Sequence, residues 1–314
     1  MSHSPIVTVT LNPAIDQTLS ISGFATGKVN RVSHMESHAA GKGVNVAVTL
    51  ADLGAATIAT GWLGDQNQDI FKHLFATKRI DDRFIRAFGE TRVGIKISDE
   101  KSGDTTDINF PGLTPSIDDL KLLLNQIDTL AAKGRWFALC GSVPAGVSDD
   151  IYAQLIDRIS AGGGNVVLDT SGKPLHEALT RGPAVAKPNI AELSELAGRP
   201  LNTANDVVTA ARSHLLERGV KLAVVSMGGD GAIFIDRKQA MIATPPKVTV
   251  KSTVGAGDAM VAGLIYAQQQ HLPLEQTAKL ATALGTHAVT KVGAGLESPN
   301  AHERYLVGVT VGSV

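Results

Sequence analysis

Short apolar, β-rich runs alternate with helical patterns along most of this chain, and that alternation restricts the fold more than any other feature. The runs are Ile6 to Leu11, Trp136 to Cys140, Asn165 to Asp169, Ala184 to Lys187 and Leu222 to Ser226. Among them, Asp149 to Ala161, Ala191 to Leu196 and Ala204 to Arg218 carry apolar residues at helical spacing. Units of this kind close into a mainly parallel sheet flanked by helices, so the expected fold class is α/β. Gln17 to Ser37 and Thr91 to Phe110 break the rhythm. They alternate apolar and polar residues between Gly and Asp turns, the pattern of antiparallel strands with one face in solvent. A small antiparallel β lid, assembled discontinuously from about 15–37 and 91–111, is therefore expected over the main body. With 314 residues, 43% of them apolar, the chain can bury a large core. No internal repeat, low-complexity tract or Pro/Ser-rich linker divides it, and residues 1–314 are expected to form one domain.

Charge narrows the partners. Twenty-nine basic groups against 30 acidic ones leave a net charge of -1. Such a chain has no long-range attraction to a polyanion, so nucleic acid and membrane surfaces are not expected partners and any phosphate recognition must be local. The single cysteine, Cys140, can form neither an internal disulfide nor a thiolate metal cluster, which points to the cytoplasm. Ile6 to Leu11 lacks a preceding basic segment and is ended by Asn12-Pro13, so it reads as a buried first strand and not as a signal peptide. No apolar run reaches the ~18 to 20 residues of a membrane helix. The most apolar stretch, Ala259 to Ala267, is interrupted by Gly263.

The strongest local signal is Thr253-Val254-Gly255-Ala256-Gly257-Asp258, which follows a β-rich run (Lys247 to Lys251) and opens a helix through Ala267. Small residues at a helix start expose backbone N–H groups that, with the helix dipole, suit a phosphate or a developing phosphoryl charge. A carboxylate at that point would repel a bound phosphate, but it suits a base that takes a proton from an attacking hydroxyl. The bland alternative is an Asp cap on a glycine turn. Neither the P-loop nor the dinucleotide fingerprint is present: Gly23 to Lys28 has the wrong spacing and is followed by Val29, and Met260 and Val46 stand where third glycines are needed.

Four further clusters are candidates. In Ala39-Ala40-Gly41-Lys42-Gly43-Val44-Asn45, ahead of an apolar helix from Val46 to Leu53, glycines permit close approach of a ligand, Lys42 offers a point charge and Asn45 an amide for sugar hydroxyls. A plain loop-to-helix turn is the alternative. Asp16 could accept hydrogen bonds from vicinal hydroxyls or be a solvated turn residue. Asn189 and Glu192, after Lys187-Pro188, lie on one helix face and suit a hydrated Mg²⁺, or else cap the helix. Ser226 to Gly231 offers backbone for ribose or phosphate, or is a hairpin turn.

Taken together and in order, these motifs resemble those of the ribokinase and phosphofructokinase B family of carbohydrate kinases, from Leu11-Asn12-Pro13 to about Gly295. The resemblance implies a ribokinase-like fold, ATP and Mg²⁺, with Asp258 as catalytic base and the Gly255, Ala256 and Gly257 backbone as the anion hole. It places Asn189 and Glu192 at Mg²⁺ through water, and Lys187, Asn189, Ser226, Gly228, Gly231 and Thr253 on the ATP side. The substrate set it implies is Asp16, Lys28, Gly41, Lys42, Asn45, Arg92 and Ser142. Ala40 departs from the family, where many members have Gly. Lys28, Arg31, Lys42 and Arg92 fall in the lid strands or the loop facing it, more cations than a neutral sugar needs, so a phosphorylated sugar is expected. Thr91-Arg92 and Cys140-Gly141-Ser142-Val143-Pro144 look most similar to the branch acting on fructose 1-phosphate, with tagatose 6-phosphate and fructose 6-phosphate as alternatives. Lids of this family often pair across a dimer, so a homodimer through the lid is expected. A catalytically silent sugar-phosphate or nucleotide sensor is the non-enzyme alternative, and the presence of Asp258 speaks against it.

Overall fold

The computed structural model describes residues 4–314; residues 1–3 of the expected domain lie outside the described residues. Ile6–Thr10 is the hub of the fold. Every residue of this β-branched run is buried, because it pairs in parallel with Thr57–Gly64 on one side and Trp136–Cys140 on the other. Parallel pairing continues through Asn165–Asp169, Val185–Ala186 and Leu222–Ser226. Three antiparallel strands, Ala232–Ile235, Ala240–Thr244 and Thr310–Ser313, finish that edge. With Asp81–Asp82 and Ile85–Ala87 beyond Thr57–Gly64, the main sheet has eleven strands and is mainly parallel, as the fold class requires.

Side chains alternate across this sheet and divide the core into two layers. Val7, Val9, Phe137, Leu139 and Leu168 point to one layer, with helices Ile117–Leu130, Ile151–Ala161 and Ala204–His214. Ile6, Ala138, Cys140 and Val167 point to the other, with Lys42–Asp52, Ala256–Gln269 and Leu274–Val289. Gly263 does not interrupt its helix. A Cβ there would lie 2.8 Å from Ala281 Cα, so the glycine is where two helices close on each other. Elsewhere the elements keep close to their expected bounds, except that the helix expected from Val46 already begins at Lys42, and that Lys247 to Lys251 is not a strand. Pro245 and Pro246 lead into it, and Lys251 N–H donates to the Val289 carbonyl at 2.8 Å, so the segment is tied to a helix end instead of a sheet.

The second sheet has four strands, Ala14–Ile21, Val32–Ala40, Val93–Asp99 and Thr105–Asn109. It is two antiparallel hairpins whose central strands, Ala14–Ile21 and Val93–Asp99, pair in parallel. The register aligns His38, Asp16, Gly94 and Asn109 in one row, on the face that carries polar residues.

Candidate active site

Parallel strands that start together end together, and ligands of open α/β sheets collect at the carboxyl edge. Thr10, Cys140 and Asp169 are register neighbours at that edge. Above them a cavity of about 430 Å³ is lined by Asp16, Gly41, Lys42, Asn45, Arg92, Lys187, Asn189, Glu192, Ser226, Gly255, Gly257 and Asp258, all expected from the sequence. Ala14, Asn109, Asp169 and Val254 complete the lining and were not expected.

Gly255 begins the catalytic-type turn with φ of 83°, a conformation that favours glycine, and its missing Cβ leaves open space. The helix starts at Ala256. Ala256 N–H reaches back to the Thr253 carbonyl at 3.5 Å, whereas Gly257 and Asp258 belong to the first turn, whose N–H groups have no carbonyl to pair with inside the helix. Asp258 is 6% exposed, and Asn45 Nδ2 donates to its Oδ2 at 2.8 Å. Burial, and next the neighbouring Asp169 charge, push the Asp258 carboxyl up to about 6 against the pull of Asn45, Lys42 and Lys187.

Asp169 is the residue that sequence reading missed. It ends a strand at 2% exposure, and its Oδ1 lies 3.4 Å from Lys42 Nζ and 3.3 Å from Lys187 Nζ. Its Oδ2 has no hydrogen-bond partner although it is buried against the cavity. Burial works to lower the Lys42 ammonium, but Asp169 and Asp258 overcome it and hold the group above its usual value. The only sequence signal for Asp169 was a charged residue closing an apolar run.

The opposite wall is the four-stranded sheet. A Cβ on Gly94 would lie 2.9 Å from Asp16 Oδ1, so glycine there keeps a notch between Asp16 and Asn109. Burial raises the Asp16 carboxyl, with Lys96 and then Arg92 opposing. Arg92 Nη2 reaches the Asn12 carbonyl at 3.5 Å, while its Nε is buried without a partner. Gly41 serves packing as well as access: with φ of 126°, a Cβ would lie 2.9 Å from Thr10 Cγ2.

Asn189 and Glu192 line the cavity and cap the helix Ile190–Ala197 at the same time. Asn189 N–H donates to Glu192 Oε2 at 2.8 Å and Glu192 N–H to Asn189 Oδ1 at 2.9 Å. Glu192 Oε1, which the cap does not use, and the unpartnered Asp169 Oδ2 belong to residues lining the same cavity, and hard oxygens of this kind suit a hydrated magnesium ion. Six expected site residues stand outside the lining. Lys28 is exposed in the loop between the first two strands of the small sheet, its carbonyl bonded by Asn30. Ser142 holds the Asn12 side chain at 3.1 Å, which places it behind Arg92's partner. Gly228 and Gly231 form the turn into an antiparallel strand, where a Gly231 Cβ would lie 2.0 Å from the Ala243 carbonyl oxygen. Thr253 and Ala256 flank Gly255 without lining the cavity.

A family model described as pfkB family carbohydrate kinase matches residues 6–301. The chain belongs to this family of kinases. The kinase is 44% identical over 295 residues to the 1-phosphofructokinase of Rhodobacter capsulatus, covering 94% of this chain and 93% of that one. It is 42% identical over 313 residues to the 1-phosphofructokinase of Xanthomonas campestris, covering 98% of each. Phosphofructokinase-2 of Escherichia coli, in a crystal structure with substrates and products, superposes with a TM-score of 0.92 at 29% identity, covering 97% of this kinase and 99% of that chain. The ribokinase-like α/β class expected from the sequence is the observed one.

Proposed function

We propose that this kinase transfers the γ-phosphoryl group of ATP to the 6-hydroxyl of D-fructose 1-phosphate, giving fructose 1,6-bisphosphate and ADP. The observation that carries the reading is Asp258: a buried carboxylate with a raised proton affinity, at a helix N-terminus that opens into the cavity. Relatives called 1-phosphofructokinase at 44% and 42% identity support the choice of sugar.

Asp258 accepts the hydroxyl proton as the oxygen attacks, and Asn45 holds that carboxylate in place. The Gly257 N–H, beside Ala256 and Gly255, faces the charge that develops on the transferred group. Lys42 and Lys187, anchored by Asp169, add positive charge on the cavity floor. Asp16 and Asn109 bind sugar hydroxyls across the Gly94 notch. The unpartnered Nε of Arg92 is a donor waiting for an anion, and the sugar's existing phosphate fits it. Ser226 and the neighbouring Gly228 turn lie on the nucleotide side. Asn189, Glu192 and Asp169 would hold magnesium when it is bound with ATP, and the ion would supply further positive charge to the phosphates.

The four-stranded sheet acts as a lid that keeps water from the transfer. Its face away from the cavity carries Leu19, Met35, Ile95, Ile97 and Ile108, with Met35 57% and Ile108 45% exposed, and we assign this face to a homodimer. Lys28, exposed on the same sheet's loop, would reach a substrate only with lid movement or across such a dimer. We place the kinase in the cytoplasm, which supplies ATP.

An ADP-release assay across fructose 1-phosphate, fructose 6-phosphate and tagatose 6-phosphate tests the sugar. The highest kcat/KM is expected on fructose 1-phosphate, and a higher value on either alternative refutes the assignment. Arg92→Ala should raise KM for the sugar phosphate tenfold or more, the ~1.5 to 3 kcal/mol of a charged hydrogen bond, and leave KM for ATP nearly unchanged. An equal rise for ATP would make Arg92 a support of the lid.

A further inference from the structure

The small sheet is joined to the body of the kinase by short connections, and the one from Phe88 to Arg92 is held in place by side chains outside the cavity. It links Ile85–Ala87, paired in parallel with Thr57–Gly64 of the main sheet, to Val93–Asp99 of the four-stranded sheet. Past the last ladder pair, Gly64 with Ala87, the chain after Gly64 goes on following the connection. Asp65 N–H donates to the Ala87 carbonyl at 3.0 Å and Gln66 N–H to the Gly89 carbonyl at 3.1 Å, while Asp65 Oδ1 accepts the Gly89 N–H at 3.0 Å.

At Thr91 a side chain takes the place of the backbone partner. Thr91 N–H donates to Asn67 Oδ1 at 2.8 Å, and Asn67 Nδ2 donates to the Thr91 carbonyl at 2.8 Å. A carboxamide carries an acceptor and donors side by side, as a peptide group does, so it can close both bonds; a carboxylate, with acceptors only, cannot. Gly64 N–H adds a third bond, to Thr91 Oγ1 at 2.9 Å. Thr91 is 1% exposed, and a Cβ on Gly64 would lie 2.3 Å from its nitrogen, so this end of the connection is closely packed as well as bonded.

The next residue is tied to the other sheet. The Arg92 carbonyl accepts the N–H of Ile15, on the strand that carries Asp16, at 2.8 Å. The boundary between body and small sheet therefore falls between Thr91 and Arg92. The free donor of Arg92 is Nε, the guanidinium nitrogen nearest the backbone, so its place follows the backbone more closely than the outer nitrogens do. The Nη2 contact with the Asn12 carbonyl, at 3.5 Å, is too long to fix the side chain by itself.

We propose that Asn67 is a positioning residue for substrate binding: its side-chain amide locks Thr91 to the body and so aims the Arg92 Nε into the cavity. The inference rests on the reading of Arg92 as the partner of the sugar's existing phosphate. It gives Asn67 an effect on the sugar phosphate and not on ATP, because Asn189 and Ser226, on the nucleotide side, stand on other elements.

The test is a double-mutant cycle on the intact chain, run with whichever of fructose 1-phosphate, fructose 6-phosphate and tagatose 6-phosphate gives the highest kcat/KM. Asn67→Ala should raise KM for that sugar phosphate by about threefold to tenfold, the worth of one or two hydrogen bonds, with KM for ATP nearly unchanged. In the Arg92→Ala background the same substitution should change it by less than about twofold, because the group being aimed is gone. Thr91→Val, of the same shape but without the acceptor for Gly64 N–H, should act in the same direction, and Thr91→Ser, which keeps that acceptor, should stay at the wild-type value. This second pair decides the matter if Asn67→Ala does not fold. An equal rise for ATP, losses that add in full to those of Arg92→Ala, or a sugar KM unmoved by Asn67→Ala and Thr91→Val overturns the assignment. With Arg92→Ala still costing tenfold, those outcomes strike Asn67 alone; an Arg92→Ala variant with the wild-type KM strikes the phosphate reading and, with it, this inference.

Discussion

In its proposed role as the base, Asp258 sets stability against activity at a single carboxyl. Its proton affinity is raised from the ordinary 3.8 to about 6, so the ionised form costs the folded state about 3 kcal/mol, at ~1.4 kcal/mol per tenfold change in proton affinity. The sign follows from the direction. Below about pH 4 the carboxyl is protonated in folded and unfolded chains alike and costs nothing; above about pH 6 the full cost is present. Asp258→Asn should therefore raise the denaturation midpoint at pH 8 and have little effect at pH 4, while lowering kcat by about 10² to 10⁴. Chemical denaturation at both pH values, beside steady-state rates, checks the pair. A variant with wild-type turnover would remove Asp258 from the base role. The base works only when ionised, so kcat/KM should fall as pH drops through about 6. Asn45→Ala removes the hydrogen bond that favours the charged form and should move this acid limb upward by about one pH unit or more. A limb that stays in place in pH–rate profiles would separate Asn45 from Asp258.

At the scale of the element, the helix Ile190–Ala197 is capped by the same pair of side chains that the proposed function places at magnesium. Its reciprocal cap uses one oxygen of Glu192 and one of Asn189. Glutamine supports the same cap as glutamate, so Glu192→Gln keeps the helix end and removes only the charge. Melting temperature should be nearly unchanged, and the Mg²⁺ concentration for half-maximal activity should rise severalfold. A lower melting temperature with an unchanged Mg²⁺ requirement would leave the pair as a helix cap alone. The small sheet behaves likewise as an element with two faces. Period-two alternation sends Asp16 and Asn109 toward the cavity and Leu19, Met35 and Ile108 away from it, so a one-residue slip of register would exchange them.

For the whole molecule, that outward apolar face predicts association. Met35→Glu places a charge on the assigned homodimer surface, where it would be buried without a partner. Sedimentation velocity should show the wild type as a dimer and the variant as a monomer, and a monomeric wild type would refute the interface. Gly94 and Gly41 are both glycine because of neighbours distant in sequence: one spares Asp16 on the paired strand, the other spares Thr10 and Pro13.

The parallel core was legible because its signals are local. An apolar β-branched run such as Ile6 to Leu11, a helical period such as Ala204 to His214, or a glycine turn before Asp258 is complete within a few residues of chain. The turn's position at a helix start followed from the same short-range chemistry. Asp169 was not legible, since its role depends on Lys42, 127 residues away, and on Lys187 across the sheet. Asp258 was recognisable as a candidate base, yet its raised proton affinity comes from burial and from Asp169, and its orientation from Asn45, 213 residues away. The parallel pairing of Ala14–Ile21 with Val93–Asp99 was hidden for a related reason, because alternation within a strand records which faces are apolar and carries no direction for a partner. Lys28 and Arg92 read alike as cations near the lid, and only the packing put one in the cavity wall with an unpaired donor and the other in solvent.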